Sequence, residues 1–252
     1  MYCGSDVVFK SGIIPGMKKG RRKIGECTYC GETAEMTNDH VIPKTLFPEP
    51  YPPNLITVPA CEACNNVKKS GGDTTFRDYL ALDLFGNQST SGQAAFPKVL
   101  RANERGQSDM ARTAALNSEM KPLFTSAGIY LGDFPTAKLE EGAIEDILAT
   151  MVRGLYFYQQ RERLPEDYKF DARRIHLWDV PNILARLSSP HQNGPYPYGE
   201  VFNYTFFQAT EDRFTTIWLL WFFEKVCFTV ATVQADVVLP KGRDLFSEAA
   251  RR

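Results

Sequence analysis

The sequence has no excess of charge and no long apolar run, and these absences exclude several classes of protein. Lysine and arginine total 29 residues against 30 aspartates and glutamates, so any nucleic-acid binding must be local and not a property of the whole chain. The most apolar segment, Ile217 to Val233, is interrupted by Glu224 and Lys225 and does not predict a membrane span. The first ten residues lack the charged start and apolar core of a signal peptide. We therefore expect a cytoplasmic protein with no membrane partner.

Cysteine is scarce, but its placement is informative. Four of the six cysteines form two Cys-x-x-Cys pairs, Cys27 with Cys30 and Cys61 with Cys64. Disulfides rarely persist in a reducing compartment, so this pattern favours a metal site. Four thiolates bind zinc tetrahedrally and leave no open position, which predicts a structural ion and not a catalytic one. Cys227 lies in apolar, strand-like sequence and is predicted to be a core residue.

Histidine is also scarce, and one of the three, His40, follows Asp39 between the two cysteine pairs. A neutral imidazole can take a proton from water near pH 7, which suits a general base. A carboxylate is a hard oxygen ligand for Mg²⁺ or a similar ion. Successive side chains of a strand point to opposite faces. The two residues therefore serve one site only if the backbone bends there, or if a metal-bound phosphate spans them.

The stretch from Cys27 to Asp73 resembles the HNH, or ββα-metal, nuclease family in its four-cysteine zinc subgroup. The resemblance rests on the order of a Cys-x-x-Cys pair, Asp39-His40, Asn54 and a second pair followed by asparagine, about a fifth of the chain. It implies that His40 is the general base that activates water. It also implies that Asp39 is a ligand to one catalytic divalent ion, Mg²⁺ or Mn²⁺, and that the four cysteines bind structural zinc.

The last motif position of this family, usually histidine, falls on Asn65. An asparagine there resembles the variant of phage junction-resolving endonucleases and guide-RNA nucleases. It implies that Asn65 is the second protein ligand of the catalytic ion through its amide oxygen, with the adjacent Asn66 as the alternative. The resemblance further implies that Asn54 braces the hairpin loop and orients His40.

Two groups of basic residues accompany the motif, one near the end of the stretch from Cys27 to Asp73 and one before it. Lys68 and Lys69 follow Asn65 by one helical turn and are candidate contacts to substrate phosphate. A denser cluster, Lys18 to Lys23, lies within a predicted N-terminal arm at 1–25. Either group could bind phosphate through local charge. Either could equally be ordinary solvated lysine and arginine, a choice that the sequence leaves open.

The pattern of residues predicts an α+β chain, with a small zinc-bound ββα-metal nuclease domain followed by a mixed helical and antiparallel-sheet domain. The nuclease domain is expected at 26–86, with its ββα unit from Met36 to Lys69. The turn-rich segment Gly86 to Gly92 predicts a boundary. The second domain, at 93–252, has an unknown role in specificity or partner binding.

Within the second domain, apolar residues at spacings of three and four predict a helix from Lys138 to Arg163, in which Gly154 marks a close helix approach. A further helix is expected from Ser108 to Met120 and a strand from Arg174 to Val180. Aromatic and β-branched composition predicts three more strands: Val201 to Ala209, Thr215 to Phe223 and Val226 to Val238, with a turn at Glu224-Lys225.

The resemblance implies metal-assisted hydrolysis of DNA phosphodiester bonds, in bacterial antiviral defence or restriction, with RNA open as a substrate. The expected products are a 5′ phosphate and a 3′ hydroxyl. Two alternatives stand beside this expectation. The first is a non-catalytic zinc-ribbon module that binds nucleic acid without cutting it. The second is a nuclease subunit that is active only after a protein partner docks on the C-terminal domain.

Overall fold

The computed structural model describes most of the chain between residues 23 and 237. The described residues are 23–67, 72–83, 85–106, 108, 112, 116–125, 127–137, 141–187, 192–193 and 198–237. The predicted arm, except for its last three residues, and both Lys68 and Lys69 lie outside them. Within this part of the chain, none of the helices has the length and apolar character needed to cross a bilayer.

A three-stranded antiparallel sheet and a short helix form the N-terminal part. The strands are β1 (Ile24–Glu26), β2 (Thr33–His40) and β3 (Thr57–Cys61), in that spatial order, and α1 (Glu62–Val67) follows β3 directly. The chain thus forms two paired strands and a helix where the ββα unit was predicted. Strand β1 was not predicted, because its three residues carry no periodic pattern of their own.

The middle of the chain is helical and then folds into a separate hairpin. Helix α2 spans Asp73–Leu82 and α3 spans Thr90–Glu104. Strands β4 (Ser118–Phe124) and β5 (Tyr130–Ala137) pair antiparallel. The helix predicted from Ser108 to Met120 was therefore wrong at its C-terminal end. Pairing across the hairpin, which a local pattern does not reveal, decides the structure there.

The C-terminal part packs a long helix and a short one with a five-stranded antiparallel sheet. The elements are α4 (Glu141–Gln160), β6 (Tyr168–Ile175), α5 (Val180–Arg186), β7 (Gln192–Asn193), β8 (Phe202–Gln208), β9 (Thr216–Phe222) and β10 (Val226–Gln234). The spatial order of the strands is β6-β10-β9-β8-β7. The three aromatic-rich strands predicted from composition are confirmed, since strands with this composition pack well on a half-buried sheet. The last of them ends at Gln234, earlier than the predicted Val238.

Two local predictions in this sheet need correction. The strand expected from Arg174 to Val180 lies earlier in the chain, because β6 pairs along almost all of β10 and ends at Ile175. The turn between β9 and β10 is present, but Phe223 and Glu224 occupy its centre with φ of 52° and 57°. These positive φ values are typical of a tight hairpin turn.

One hydrophobic core joins the two parts of the chain. It combines apolar side chains that follow β2 with side chains of α2, of α4 and of the five-stranded sheet, all less than a tenth exposed: Val41, Ile42, Phe47, Phe76, Leu148, Met151, Leu155, Trp218, Phe222 and Phe228. The predicted boundary at Gly86 to Gly92 lies between segments that share this core. The division into domains stays a prediction.

Gly154 is a point at which α4 lies close to two segments next to the N-terminal sheet, the cysteine-bearing turn before β2 and the residue after it. An ideal Cβ built at this position would lie 2.8 Å from both Cγ atoms of Val41 and 3.3 Å from the Tyr29 hydroxyl. The close approach predicted for Gly154 is therefore confirmed, and only glycine leaves enough room for it.

Candidate metal centre and adjoining polar residues

The four cysteines of the two Cys-x-x-Cys pairs converge on one point. Cys27 and Cys30 lie in the turn between β1 and β2, Cys61 ends β3 and Cys64 lies on α1. Their sulfur atoms all lie within 4.8 Å of one another, and the Sγ atoms of Cys30 and Cys61 are 3.8 Å apart. A tetrahedral site with Zn–S bonds of about 2.3 Å requires sulfur atoms about 3.8 Å apart. This cysteine cluster therefore fits a metal ion such as zinc.

The cysteine turn, residues 27–32, is held by main-chain hydrogen bonds and by one arginine. Gly31 N–H donates to the Cys27 carbonyl and Cys27 N–H donates to the Glu32 carbonyl, both at 2.9 Å. Gly31 has φ of 73°, and a Cβ there would lie 2.5 Å from the guanidinium carbon of Arg163. The positive φ favours glycine at this position, and a larger residue would also displace the Arg163 guanidinium. Arg163 also pairs with Glu26 at 3.3 Å, so the segment that follows α4 clamps this turn.

The thiols of the cluster differ in acidity. Burial raises the pKa of Cys27, but main-chain hydrogen bonds from Cys30, Cys61 and Tyr29 lower it by more, so that this pKa falls to about 7. Burial raises the pKa of both Cys30 and Cys64. Metal ligation needs the thiolate form. Cys27 therefore favours the thiolate form more than Cys30 and Cys64 do.

Asp39 is buried beside the cysteine turn. Its side chain is on β2, and the residue is 5% exposed. The hydroxyl of Tyr29 donates a hydrogen bond of 2.5 Å to Asp39 Oδ2. Burial and then the negative charge of Asp39 raise the pKa of Tyr29 well above its ordinary value. The phenol consequently stays protonated and remains a donor.

Asn65 lies on α1 and is buried against β2. Its Nδ2 donates to Thr37 Oγ1 at 2.7 Å, and that hydroxyl donates to the Ala60 carbonyl at 3.0 Å. Because Thr37 gives its own proton to Ala60, it can only accept from the amide, which directs Oδ1 of Asn65 elsewhere. Thr37 and Asp39 are two positions apart on β2 and share one face of the strand.

The Oδ1 atom of Asn65 is buried and finds no hydrogen-bond partner among the residues that the structure describes. A buried acceptor without a partner is uncommon in native proteins and calls for an explanation. Asn66, the alternative ligand, is exposed. Of the two asparagines, Asn65 is therefore the one with a buried side-chain carbonyl oxygen, and a hard cation could act as the partner of that oxygen.

His40 is the last residue of β2 and lies opposite Thr57 of β3. It is half-buried, and the chain bends immediately afterwards, at 41–42. The histidine thus stands at the rim of the same hairpin that carries Asp39. Its role as a base stays a prediction.

Asn54 is exposed in the loop that precedes β3. Its main-chain carbonyl accepts a hydrogen bond of 2.9 Å from the Tyr198 hydroxyl, which in turn accepts from Ile56 N–H at 2.6 Å. Tyr198 therefore fixes this loop from the C-terminal part, a contact that no motif in the sequence indicates. The predicted orienting role of the Asn54 side chain stays a prediction.

Comparisons with known proteins add no relative. A scan against models of protein families finds no match, and searches of curated proteins and of solved structures find no significant similarity. The resemblance to HNH nucleases consequently depends on the motif residues alone.

Proposed function

We propose that this chain is a metal-dependent endonuclease of the HNH type that hydrolyses phosphodiester bonds in DNA. The observation that carries the proposal is the buried Oδ1 of Asn65, which has no hydrogen-bond partner among the described residues. The amide of the same residue is bonded to Thr37, which shares a face of β2 with Asp39. Supporting observations are the convergence of the four cysteines and the position of His40 at the end of the same strand.

Asp39 and Asn65 are the residues that would hold the catalytic ion. One offers a carboxylate and the other an amide carbonyl, the oxygen donors that Mg²⁺ and Mn²⁺ prefer. A bound divalent ion supplies positive charge beside the phosphate under attack and its leaving 3′ oxygen. Two protein ligands leave positions for water and for phosphate, as is usual for Mg²⁺ at phosphate sites.

His40 is the general base in this proposal. The residue is half-buried at the end of β2, so part of it is open to solvent. The neutral ring takes a proton from a water molecule, whose oxygen bonds to phosphorus as the bond from phosphorus to the 3′ oxygen breaks. The 3′ oxygen takes a proton from solvent, so the products are a 5′ phosphate and a 3′ hydroxyl. The cysteine cluster, which has no open position when zinc is bound, would hold the fold of the hairpin and α1. Defence or restriction is the biological role that the resemblance implies for such an activity.

Cleavage of supercoiled plasmid DNA in Mg²⁺ or Mn²⁺ tests the proposal. The wild-type protein is compared with the His40→Ala and His176→Ala variants in the same reaction. His176 is exposed and stacks on Trp178 in the C-terminal part, so it serves as a matched control. We expect His40→Ala to lose activity by at least about 100-fold and His176→Ala to cut like wild type. If wild type and His40→Ala leave the plasmid equally intact while both bind it, the protein is a binding module or needs a partner. A parallel reaction with single-stranded RNA decides the substrate.

A further inference from the structure

Tyr29 joins the cysteine turn to the carboxylate of the proposed catalytic site. It is the residue directly before Cys30, and its hydroxyl is 2.5 Å from Asp39 Oδ2. We propose that Tyr29 is a positioning residue, which fixes the Asp39 carboxylate in the orientation that a divalent ion requires. This inference rests on the proposed function.

Tyr29 belongs to a turn whose main chain is fixed by hydrogen bonds. Main-chain hydrogen bonds close the cysteine turn, and Thr28 N–H donates to the Pro59 carbonyl of β3 at 3.0 Å. On its other side the hydroxyl lies close to α4, 3.3 Å from the place of a Cβ at Gly154. The phenol therefore lies between the cysteine turn and α4. A second residue placed in this way is what orients a metal-ligating carboxylate in known metal sites.

The chemistry of the donor also suits this role. An O–H group bonded to an ionised carboxylate makes a short and strong hydrogen bond, and 2.5 Å is within the range of such bonds. A phenol carries no charge, so this bond fixes Oδ2 without cancelling the negative charge that attracts a cation. A lysine or arginine in the same place would offset that charge. Tyr29 thus orders the carboxylate and leaves its attraction for a metal ion intact.

Binding of Mn²⁺ to the zinc-loaded full-length protein tests the inference without any measurement of cleavage. Titrations followed by electron paramagnetic resonance compare wild type with Tyr29→Phe, Asp39→Asn and Tyr168→Phe. Tyr168 donates to Asp212 Oδ2 at 2.7 Å in the C-terminal part, so its variant removes a similar bond elsewhere. We expect Tyr29→Phe to weaken Mn²⁺ binding by about 10-fold to 100-fold and Tyr168→Phe to leave it unchanged. Both variants should keep the wild-type zinc content.

The possible results separate this inference from the proposed function. If wild type binds Mn²⁺, Asp39→Asn does not, and Tyr29→Phe binds as tightly as wild type, the inference alone is overturned. If wild type binds no Mn²⁺, or Asp39→Asn binds as wild type does, the proposed site fails and the inference with it. A Tyr29→Phe protein that loses zinc or no longer folds assigns the hydroxyl to stability, which also overturns a positioning role.

Discussion

Gly154 of helix α4 lies directly against the side chain of Val41, the residue that follows His40. The room between them is so small that a Cβ at 154 would lie 2.8 Å from both methyl groups of Val41. Helix α4, in the C-terminal part of the chain, therefore packs against the residue that follows strand β2, which carries Asp39 and His40. Contacts of this kind tie the geometry of Asp39 and His40 to packing far away in the sequence.

Replacing Gly154 by alanine should lower the free energy of unfolding by about 1–3 kcal/mol, the usual cost of an extra methyl group in a packed core. Val41 is β-branched and has little freedom to move aside. Denaturation with urea measures the change. Gly142→Ala on the same helix is the control, since among the described residues no atom beyond its chain neighbours and its own helix backbone lies within 4 Å of its Cβ position, and alanine favours the helix there. Equal stability of the two variants would contradict the prediction, and adding Val41→Ala to Gly154→Ala should restore part of the loss.

Replacing Asn65 by leucine should separate metal binding from stability. The change removes Oδ1 but retains a side chain of similar size, and Thr37 keeps its bond to Ala60. We expect Mn²⁺ affinity to fall by at least about 10-fold, while the free energy of unfolding changes by less than about 1 kcal/mol. Thr37→Val is the matched control, because it removes the partner of Nδ2 and leaves Oδ1 in place. Loss of Mn²⁺ affinity in Thr37→Val but not in Asn65→Leu would refute a ligand role for Asn65.

Purified protein should contain one zinc ion per chain, bound by the cysteine cluster. Replacing Cys61 by serine should remove the zinc and lower stability, because structural zinc contributes directly to folding. Cys227→Ser provides the control, since Cys227 is fully buried in β10, outside the cluster. Mass spectrometry of the metal content and the visible absorption of a Co²⁺-substituted sample measure the outcome. Zinc retained in full by Cys61→Ser would disprove the assignment.

Stability should fall in alkaline solution through Tyr198. Burial raises the pKa of Tyr198 to about 12, whereas an unfolded tyrosine titrates near 10. Below about pH 10 Tyr198 is protonated in both the native and the unfolded chain, so its full contribution to the free energy of unfolding is present. Between about pH 10 and pH 12 the unfolded chain releases the proton and the native chain does not, so the free energy of unfolding falls by at most about 1.4 kcal/mol per pH unit.

Comparison of wild type with Tyr198→Phe isolates this effect. The variant lacks the bonds to Asn54 and Ile56 and should be less stable than wild type at pH 8. The difference between the two proteins should narrow steadily from pH 10 to pH 12. A constant difference over that range, measured by urea denaturation, would show that Tyr198 titrates at its ordinary pKa.

Much of the fold was predictable because the relevant signals are local. Aromatic and β-branched residues of β8, β9 and β10 indicate strands by composition, and the apolar face of α4 follows a helical period. The hairpin of β4 and β5 escaped prediction because its stability arises from pairing between strands, such as the contact between the Phe124 and Tyr130 rings, whose centres lie 5.5 Å apart. The order of strands in the large sheet has the same non-local origin.

The candidate site likewise has some features that the sequence predicts and others that it does not. The spacing of the cysteines predicts their convergence, since ligand spacing reflects the geometry of zinc. The bond of Tyr29 to Asp39 and the bond of Tyr198 to the Asn54 carbonyl were not predicted. Each depends on how two segments pack together, and a single tyrosine leaves no pattern in the sequence.

The shared core also affects the order in which the chain can fold during translation. Synthesis proceeds from the N-terminus, so Asp39 and the cysteines leave the ribosome before Gly154 and Phe222 have been added. Phe76 packs on Phe222 with ring centres 4.9 Å apart, and Val41 packs against Gly154. Until those later residues emerge, the apolar side chains behind Asp39 lack the partners that bury them. The core around the cysteine-bearing sheet therefore becomes complete only when most of the C-terminal part has been synthesised.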